Sequence, residues 1–143
     1  MKTGLRMRAQ VVSRWASLFF AAVLVSGCAT TASDSPEVAV RVRAQAWLDA
    51  LMAFDIEGIY SFTSPAYQSA HSASYYSRNY AGRSMWKTAS LGVISCDGAE
   101  EYGVCKVRLV ITFRGFMMEK DMTTELTETW IDIGGVWYTQ PRL

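Results

Sequence analysis

The sequence predicts an α+β domain in which N-terminal helices pack in the concave face of a curled four-stranded antiparallel sheet. Between residues 36 and 82, apolar side chains recur at spacings of three and four, the period of a helix with one buried side. From Ser84 onward, apolar and polar residues alternate, as they do along half-buried strands. Helices followed by consecutive strands are typical of the α+β class.

The first helix is predicted from Pro36 to about Ala53. Ser35 or Asp34 can cap it, proline suits the first helical position, and Glu37 lies at the positive end of the helix dipole. Its buried side is expected to contain Val40, Ala44, Trp47, Leu48 and Leu51.

Three shorter helical segments are predicted next. Asp55 can cap the first, the second spans Ser64–Ala70, and a serine within Ser72–Ser74 can cap the third. Gly82 is expected to end the third segment. The apolar residues of these segments are Ile56, Ile59, Tyr60, Phe62, Tyr75, Tyr76 and Tyr80.

Four strands are predicted after the helices, at Trp86–Cys96, Val104–Phe113, Met122–Ile133 and Val136–Leu143. Along the second strand, Cys105 shares the inward face with alternate apolar residues. Two glycines between the last two strands fit a two-residue hairpin loop.

The N-terminus has the pattern of an export signal. Its four cations, with no acid among them, precede the apolar run Trp15–Val25. That run has eleven residues, whereas a membrane-spanning helix needs about 20. The segment Ser26-Gly27-Cys28 resembles the lipobox of bacterial lipoproteins, which implies lipid attachment at Cys28 and cleavage just before it. The alternatives are an ordinary cleaved signal and an uncleaved anchor helix.

The resemblance to lipoproteins divides the chain into a cleaved signal peptide at 1–27, a lipidated N-terminus with a short tether at 28–35, and one domain at 36–143. In a diderm bacterium, Ala29 in place of Asp implies an anchor in the outer membrane, facing the periplasm. At about 3.3–3.6 Å per residue the tether reaches at most roughly 25 Å, so the domain is expected close to its membrane.

Charge restricts the partners of the mature domain. Once the four signal cations are removed from the 14 Lys and Arg, ten remain against 13 Asp and Glu, a formal charge near minus three. This balance argues against nucleic acid and against anionic lipid headgroups as partners. No cofactor and no metal are predicted, because the chain has one histidine and no phosphate-binding glycine loop or nucleophile motif.

Cys96 and Cys105 flank a turn-rich segment between two predicted strands. In an oxidising envelope such a pair is predicted to form a disulfide across the hairpin. The alternative is a redox-active or metal-binding pair. It is disfavoured because the spacing is far from Cys-x-x-Cys and because His71 alone offers no zinc set.

Four segments together resemble the nuclear transport factor 2-like superfamily: Ala46–Leu51, Asp55–Tyr60, Ser64–Tyr67 and Glu128–Tyr138. The match covers roughly residues 36–143. It implies a cone-shaped fold whose members include isomerases, dehydratases, carrier-binding domains and inert modules, so the fold does not fix the function. In the enzymes of that superfamily, the chemistry lies in the cavity between helix and sheet.

Glu128 and Tyr60 are candidates for catalytic residues by residue type, but neither aligns to a catalytic position of the superfamily, and no catalytic residue is assigned. A ketosteroid isomerase-like site pairs a carboxylate with a tyrosine in an apolar pocket. Period two puts Glu128 on the face of Trp130, where a carboxylate must be paired or used. The opposite register, with Ile131 inward, would put Glu128 in solvent.

The other ionisable candidates have structural explanations. Asp55 is expected to be a helix cap, Asp49 a solvated helix residue, and Asp132 an outward strand residue beside the turn. His71 is expected on a surface loop, and the alternative is the base of a dehydratase.

Phe116, Met117 and Met118 form a distinctive patch, because three apolar side chains beside the turn predicted at Glu119–Asp121 cannot all point inward. The patch predicts a partner surface or a membrane contact, and a strand that simply continues is the alternative. Homologues of the fold often dimerise through the open sheet face, which implies a homodimer as a further expectation. Here that face carries Lys106, Arg108 and Arg114.

Together these features predict an outer-membrane-anchored envelope lipoprotein that acts as a non-enzymatic interaction or accessory module, with an envelope protein as its partner. The high content of Trp and Tyr supports a first alternative, which is binding of a small apolar ligand in the cone cavity. The second alternative is a small isomerase or dehydratase of the ketosteroid isomerase-like type.

Overall fold

We describe the fold from a computed structural model, which defines residues 35–97 and 103–141. The predictions that concern residues 1–34 lie outside the described residues; they include the signal peptide, lipid attachment at Cys28 and most of the tether. The same holds for residues 98–102, between Asp97 and Gly103 in the sequence, and for the last two residues.

Helix α1 spans Pro36–Met52 and begins after Ser35, whose side chain makes no capping hydrogen bond. Its five predicted core residues are all buried, which confirms the helical period. Helix α2 spans Ile56–Tyr60, and Asp55 caps it by accepting a hydrogen bond from the amide of Gly58 at 2.8 Å.

Two further short helices follow the predicted capping pattern. Helix α3 spans Pro65–Ala70, with Ser64 as its N-cap, and helix α4 spans Ala73–Ser77, with Ser72 as its N-cap. In both, the serine hydroxyl accepts a hydrogen bond from the amide three residues later at 3.2 Å.

The prediction that Gly82 ends the helical region was wrong. A 3₁₀ segment runs from Arg78 to Met85 and contains Gly82, and helical geometry ends only where Trp86 adopts an extended conformation. The local break lies instead at Tyr80, whose backbone leaves the helical region while its ring is buried in the core. The chain therefore leaves helical geometry at the buried residue Tyr80 and again at Trp86, and not at Gly82.

The sheet is a curled, unclosed meander of four antiparallel strands in the order β1-β2-β3-β4. Strand β1 spans Trp86–Asp97, β2 spans Val104–Phe113, β3 spans Met122–Ile133 and β4 spans Val136–Gln140. The last strand ends three residues earlier than predicted, because Pro141 has no amide hydrogen to donate to the ladder. The helices pack against the sheet, which confirms the α+β class.

The register of β2 against β3 decides which side of β3 faces the helices. Val107 lies opposite Glu128, and Cys105 lies opposite Trp130. Because Val107, Cys105 and Trp130 are fully buried, Glu128 also points inward. The two glycines between β3 and β4 both have positive φ, as the predicted two-residue hairpin requires.

Helix α1 runs between two ends of the domain. From the middle of α1, Arg43 donates a hydrogen bond from Nε to the carbonyl oxygen of Trp137 at 2.6 Å, beside the β3–β4 turn. After its end, the ring of Phe54 lies against the guanidinium of Arg83, just before β1. We call the first the Ser35 end; it also holds the Cys96–Cys105 pair. The second is the loop end, which holds residues 54, 78–85 and 114–121.

Candidate functional site

A buried polar cluster lies in the core between α1, α4 and the sheet. Glu128 is 1% exposed, and its charge acts on the phenol of Tyr76, which is fully buried. The indole Nε1 of Trp47 donates a hydrogen bond to the Tyr76 hydroxyl at 3.1 Å, and Tyr80 also hydrogen-bonds to Tyr76. Of the two orientations that the sequence left open, Glu128 therefore has the inward one, and the residues around it come from helices as well as strands.

The environment raises the pKa of Tyr76 to about 12. Burial is the main cause, and the negative charge of Glu128 acts in the same direction, since both disfavour a phenolate. Hydrogen bonds from Tyr80 and Trp47 partly oppose the rise, as does the nearby hydroxyl of Thr139. Tyr76 is thus a neutral hydrogen-bond donor at neutral pH.

Two polar atoms in this region are left without a hydrogen-bond partner among the described residues. They are Nε1 of Trp130 and Oγ1 of Thr139, both buried. The Thr139 hydroxyl is close enough to Tyr76 to influence its pKa, yet it does not reach good hydrogen-bond geometry. A carboxylate, a neutral phenol and an unpaired indole N–H are groups that could act on a polar ligand. Here they are covered by packed aromatic rings.

Tyr60, the tyrosine named from the sequence, does not supply the phenol of this cluster. Its hydroxyl donates to the backbone carbonyl oxygens of Gln68 at 3.0 Å and His71 at 2.5 Å. Tyr60 therefore ties α2 to the end of α3. The sequence analysis did not identify Tyr76 as a residue of the candidate site. Its position could have been inferred from the helical period, because it lies three residues after Ala73, which is also buried.

The remaining ionisable candidates have the structural roles expected of them. Asp49 accepts a hydrogen bond from Nε2 of Gln45 at 2.8 Å on the exposed side of α1. Asp132 accepts one from the amide of Gly135 at 2.8 Å and so stabilises the β3–β4 turn. Asp55 is the helix cap described above.

His71 lies in a stack of aromatic rings on the surface. Its ring centroid is 4.6 Å from that of Tyr67 and 4.7 Å from that of Tyr75. It borders a shallow pocket of about 290 Å³ that also includes Thr139 and Gln140. No carboxylate lines this pocket among the described residues, so the pairing of histidine with an acid that a dehydratase needs is not found there.

Cys96 and Cys105 are direct partners in the β1–β2 ladder, and a disulfide joins them. Cys105 is fully buried in the core, whereas Cys96 is half-buried. The described residues contain no group of three or more His, Cys, Asp or Glu side chains that could hold a metal ion. None of the helices in the described part of the chain has the length and apolar character needed to cross a bilayer.

The Phe116–Met118 patch is exposed, as the sequence predicted. Phe116 is 93% exposed and Met117 is 89% exposed, while Met118 is partly covered. These residues border a wide pocket of about 550 Å³ at the loop end, together with Lys87 and Arg114. Both cations pair with the exposed carboxylate of Asp121, at 2.8 Å and 2.6 Å respectively.

The open face of the sheet carries the exposed cations Lys106 and Arg108. Arg108 forms an ion pair with Glu125 across the β2–β3 ladder at 3.4 Å. Arg114 does not belong to this face, because it follows β2 and pairs with Asp121 at the loop end. Of the three cations that the sequence analysis placed on the open sheet face, Lys106 and Arg108 therefore lie there and Arg114 does not.

Known proteins similar to this chain are few, and none of them indicates a function for the site. No family model matches the chain, and no curated protein matches it. A similar solved structure is the solution structure of a SEC-C motif-containing protein from Rhodopseudomonas palustris. It shares 18% sequence identity with a TM-score of 0.47, over 73% of each chain. A likeness at this score carries no argument about function.

Proposed function

We propose that this protein is a lipoprotein of the bacterial envelope, anchored in the outer membrane through Cys28, whose domain is a non-enzymatic module that binds another envelope protein. Its binding surface is the exposed patch Phe116–Met118. The proposed anchor is based on the resemblance of residues 26–28 to a lipobox. The proposed binding surface is based on the exposure of the apolar side chains in the patch. The nuclear transport factor 2-like ancestry of the domain is part of the same proposal.

The exposure of Phe116 and Met117 is the observation that carries the proposal. Two large apolar side chains that are about nine-tenths exposed at the tip of one loop contribute nothing to the core. Met117 also has a φ of 65°, a conformation that costs a non-glycine residue about 1–2 kcal/mol. Met85 and Met122, each about half exposed, enlarge the patch at the same end.

The position of the patch favours a protein partner over the anchoring membrane. The chain enters the domain at the Ser35 end, and the patch lies at the loop end. These ends are separated by the length of β2, whose ten residues span roughly 33 Å. If Cys28 carries the lipid, the tether joins the domain at the end opposite the patch.

The packing around Glu128 supports a role without catalysis. An isomerase or a carrier would need space for its ligand beside the carboxylate. Glu128, Trp47, Trp130 and Tyr76 are each at most 1% exposed, so no space for a water molecule adjoins them. A ligand could reach Glu128 only after the helices had moved away from the sheet.

Site-specific photo-crosslinking in intact cells tests the surface. A photoreactive residue at Met117 of the full-length protein is expected to capture one defined envelope protein. The same residue at Val93 is the matched control, since Val93 is 62% exposed on β1, away from the loop end. The partner should then be purified and its affinity measured directly.

The affinity measurement tests whether the partner binds this patch specifically or any exposed apolar residue. Phe116→Ser combined with Met117→Ser should weaken binding of the purified partner by roughly tenfold or more, since central apolar anchors dominate such interfaces. Val93→Ser should leave it unchanged. Crosslinks from residue 117 to lipid alone, or equal binding by both variants, would refute the protein-partner proposal. Separately, Cys28→Ala should move the protein out of the membrane fraction if that cysteine carries the anchor.

A further inference from the structure

A second pocket at the loop end, distinct from the Phe116–Met118 patch, has the composition of an anion site. It has a volume of about 300 Å³ and lies where the end of α1 meets the 3₁₀ segment. Two arginines and three residues that carry hydroxyl groups border it, and no residue with a carboxylate does so among the described residues. The residues that define this pocket are Phe54, Ser77, Arg78, Tyr80, Ala81, Arg83 and Ser84.

Arg83 lacks the acceptor that its position calls for. Its Nε atom is buried and has no hydrogen-bond partner among the described residues, and the ion pairs seen there do not involve Arg83 or Arg78. A buried N–H of a charged group is normally paired, because leaving it unpaired forfeits its hydration without replacement. The described chain thus supplies no acceptor for this N–H group, which belongs to a side chain that lines the pocket.

The apolar wall of this pocket is held in place by the backbone. Phe54 has a φ of 60°, in the left-handed region that side chains larger than glycine rarely adopt. In this conformation its ring lies over the Arg83 guanidinium, with 4.7 Å between the ring centroid and the guanidinium carbon. Arg78 is similarly placed over the ring of Tyr75 at 5.3 Å. Strained residues of this kind concentrate at binding sites.

We propose that this pocket binds a phosphate ester that carries an apolar group. A guanidinium can donate two parallel hydrogen bonds to two oxygens of a phosphate. The hydroxyls of Ser77 and Ser84 can donate to the remaining phosphate oxygens. The apolar part of the ligand lies on the exposed ring of Phe54. Because the mature chain is net negative, local pairing must supply the affinity, and long-range attraction does not contribute. The same chemistry occurs in lipid headgroups and in free phosphate esters.

Calorimetric titration with phenyl phosphate, at low salt, tests the site in the full-length protein held in uncharged detergent micelles. Arg83→Gln is expected to weaken binding by roughly tenfold, the loss typical of one charge-assisted pair. The matched control is Arg41→Gln, which removes an exposed arginine from α1 and should leave binding unchanged. Arg78→Gln is the second test variant, because Arg78 is exposed and its loss should not affect folding.

A competition experiment then distinguishes a lipid headgroup from a free phosphate ester as the natural ligand. Either result is compatible with the proposed site. Phosphatidic acid added to the micelles should displace phenyl phosphate if the natural ligand is a lipid headgroup. If it does not, a free phosphate ester is the ligand. The proposal is overturned if phenyl phosphate fails to bind in the millimolar range. It is equally overturned if Arg83→Gln and Arg78→Gln bind phenyl phosphate as well as Arg41→Gln does.

Discussion

The buried phenol of Tyr76 should make the domain lose stability at high pH. Burial and the charge of Glu128 raise the pKa of Tyr76 from its ordinary value of 10.0 to about 12. The folded protein therefore keeps this proton after the unfolded chain has released it. The stabilisation that this provides is fully present below pH 10 and is lost as the pH rises from 10 to 12.

The size of the effect follows from the two pKa values of Tyr76. A difference of two units corresponds to about 2.7 kcal/mol in full, and about 1.4 kcal/mol of it is lost by pH 11. Tyr76→Phe removes the ionising group and should abolish this loss. The same substitution leaves Nε1 of Trp47 without its acceptor, so the variant should be less stable than the wild type at neutral pH by about 1–3 kcal/mol.

Urea unfolding followed by tryptophan fluorescence at pH 9 and pH 11 measures both effects. The other tyrosines and the lysines titrate in both proteins, so the comparison isolates Tyr76. We expect the wild type to lose about 1.4 kcal/mol more than Tyr76→Phe between these pH values. Equal losses would show that the phenol is reached by water in the folded state, and would refute the closed packing argued for the core.

Two further predictions concern local stability. Replacing both Cys96 and Cys105 by Ala opens a loop with a sequence separation of 9 and should destabilise the domain by about 2.6 kcal/mol in the chain-entropy model; thermal unfolding with and without reductant checks this, since reductant should affect only the wild type. Asp55→Ala removes the cap of α2 and should cost about 1 kcal/mol. An unchanged midpoint in urea would contradict it, and Asp49→Ala, on the exposed side of α1, is the control for loss of a carboxylate.

The strands and the helix caps could be predicted because their signals are local. The ends of β2 and β3 follow directly from alternation and flanking turn residues, and the caps of α2, α3 and α4 follow from Asp or Ser at the right offset. The prediction failed at Gly82, since the local break lies two residues earlier, at the buried residue Tyr80. A tertiary contact cannot be inferred from a single glycine.

The direction of Glu128 could not be decided from β3 alone. Both faces of that strand carry large apolar residues, Leu126 and Trp130 on one and Ile131 and Ile133 on the other. The decision comes from pairing with β2, whose inward residues are strongly apolar, and from Trp130, which packs edge-on against Trp47 of α1. The buried polar cluster is thus fixed by long-range contacts.

The anion pocket could not have been found by pattern, because its residues are brought together by the path of the chain. Phe54 follows α1, while Arg78 and Arg83 lie more than twenty positions later in the 3₁₀ segment. Neither arginine belongs to a motif, and a formal net charge of +1 for the chain gives no sign of a local cluster of cations.

Backbone strain from positive φ at non-glycine residues is confined to one end of the described domain. The two strained residues belong to the two proposed binding sites. Among the described residues, Phe54 and Met117 are the only ones other than glycine with positive φ, and both lie at the loop end. At the Ser35 end, the chain reverses through Gly134 and Gly135, which adopt such conformations without penalty. A sequence free to avoid strain would use glycine at the loop end as well. Phe54 instead contacts Arg83, and Met117 is exposed to solvent, so at both positions a large side chain occupies a strained backbone conformation. This is the pattern expected where binding determines the residue and stability of the fold does not.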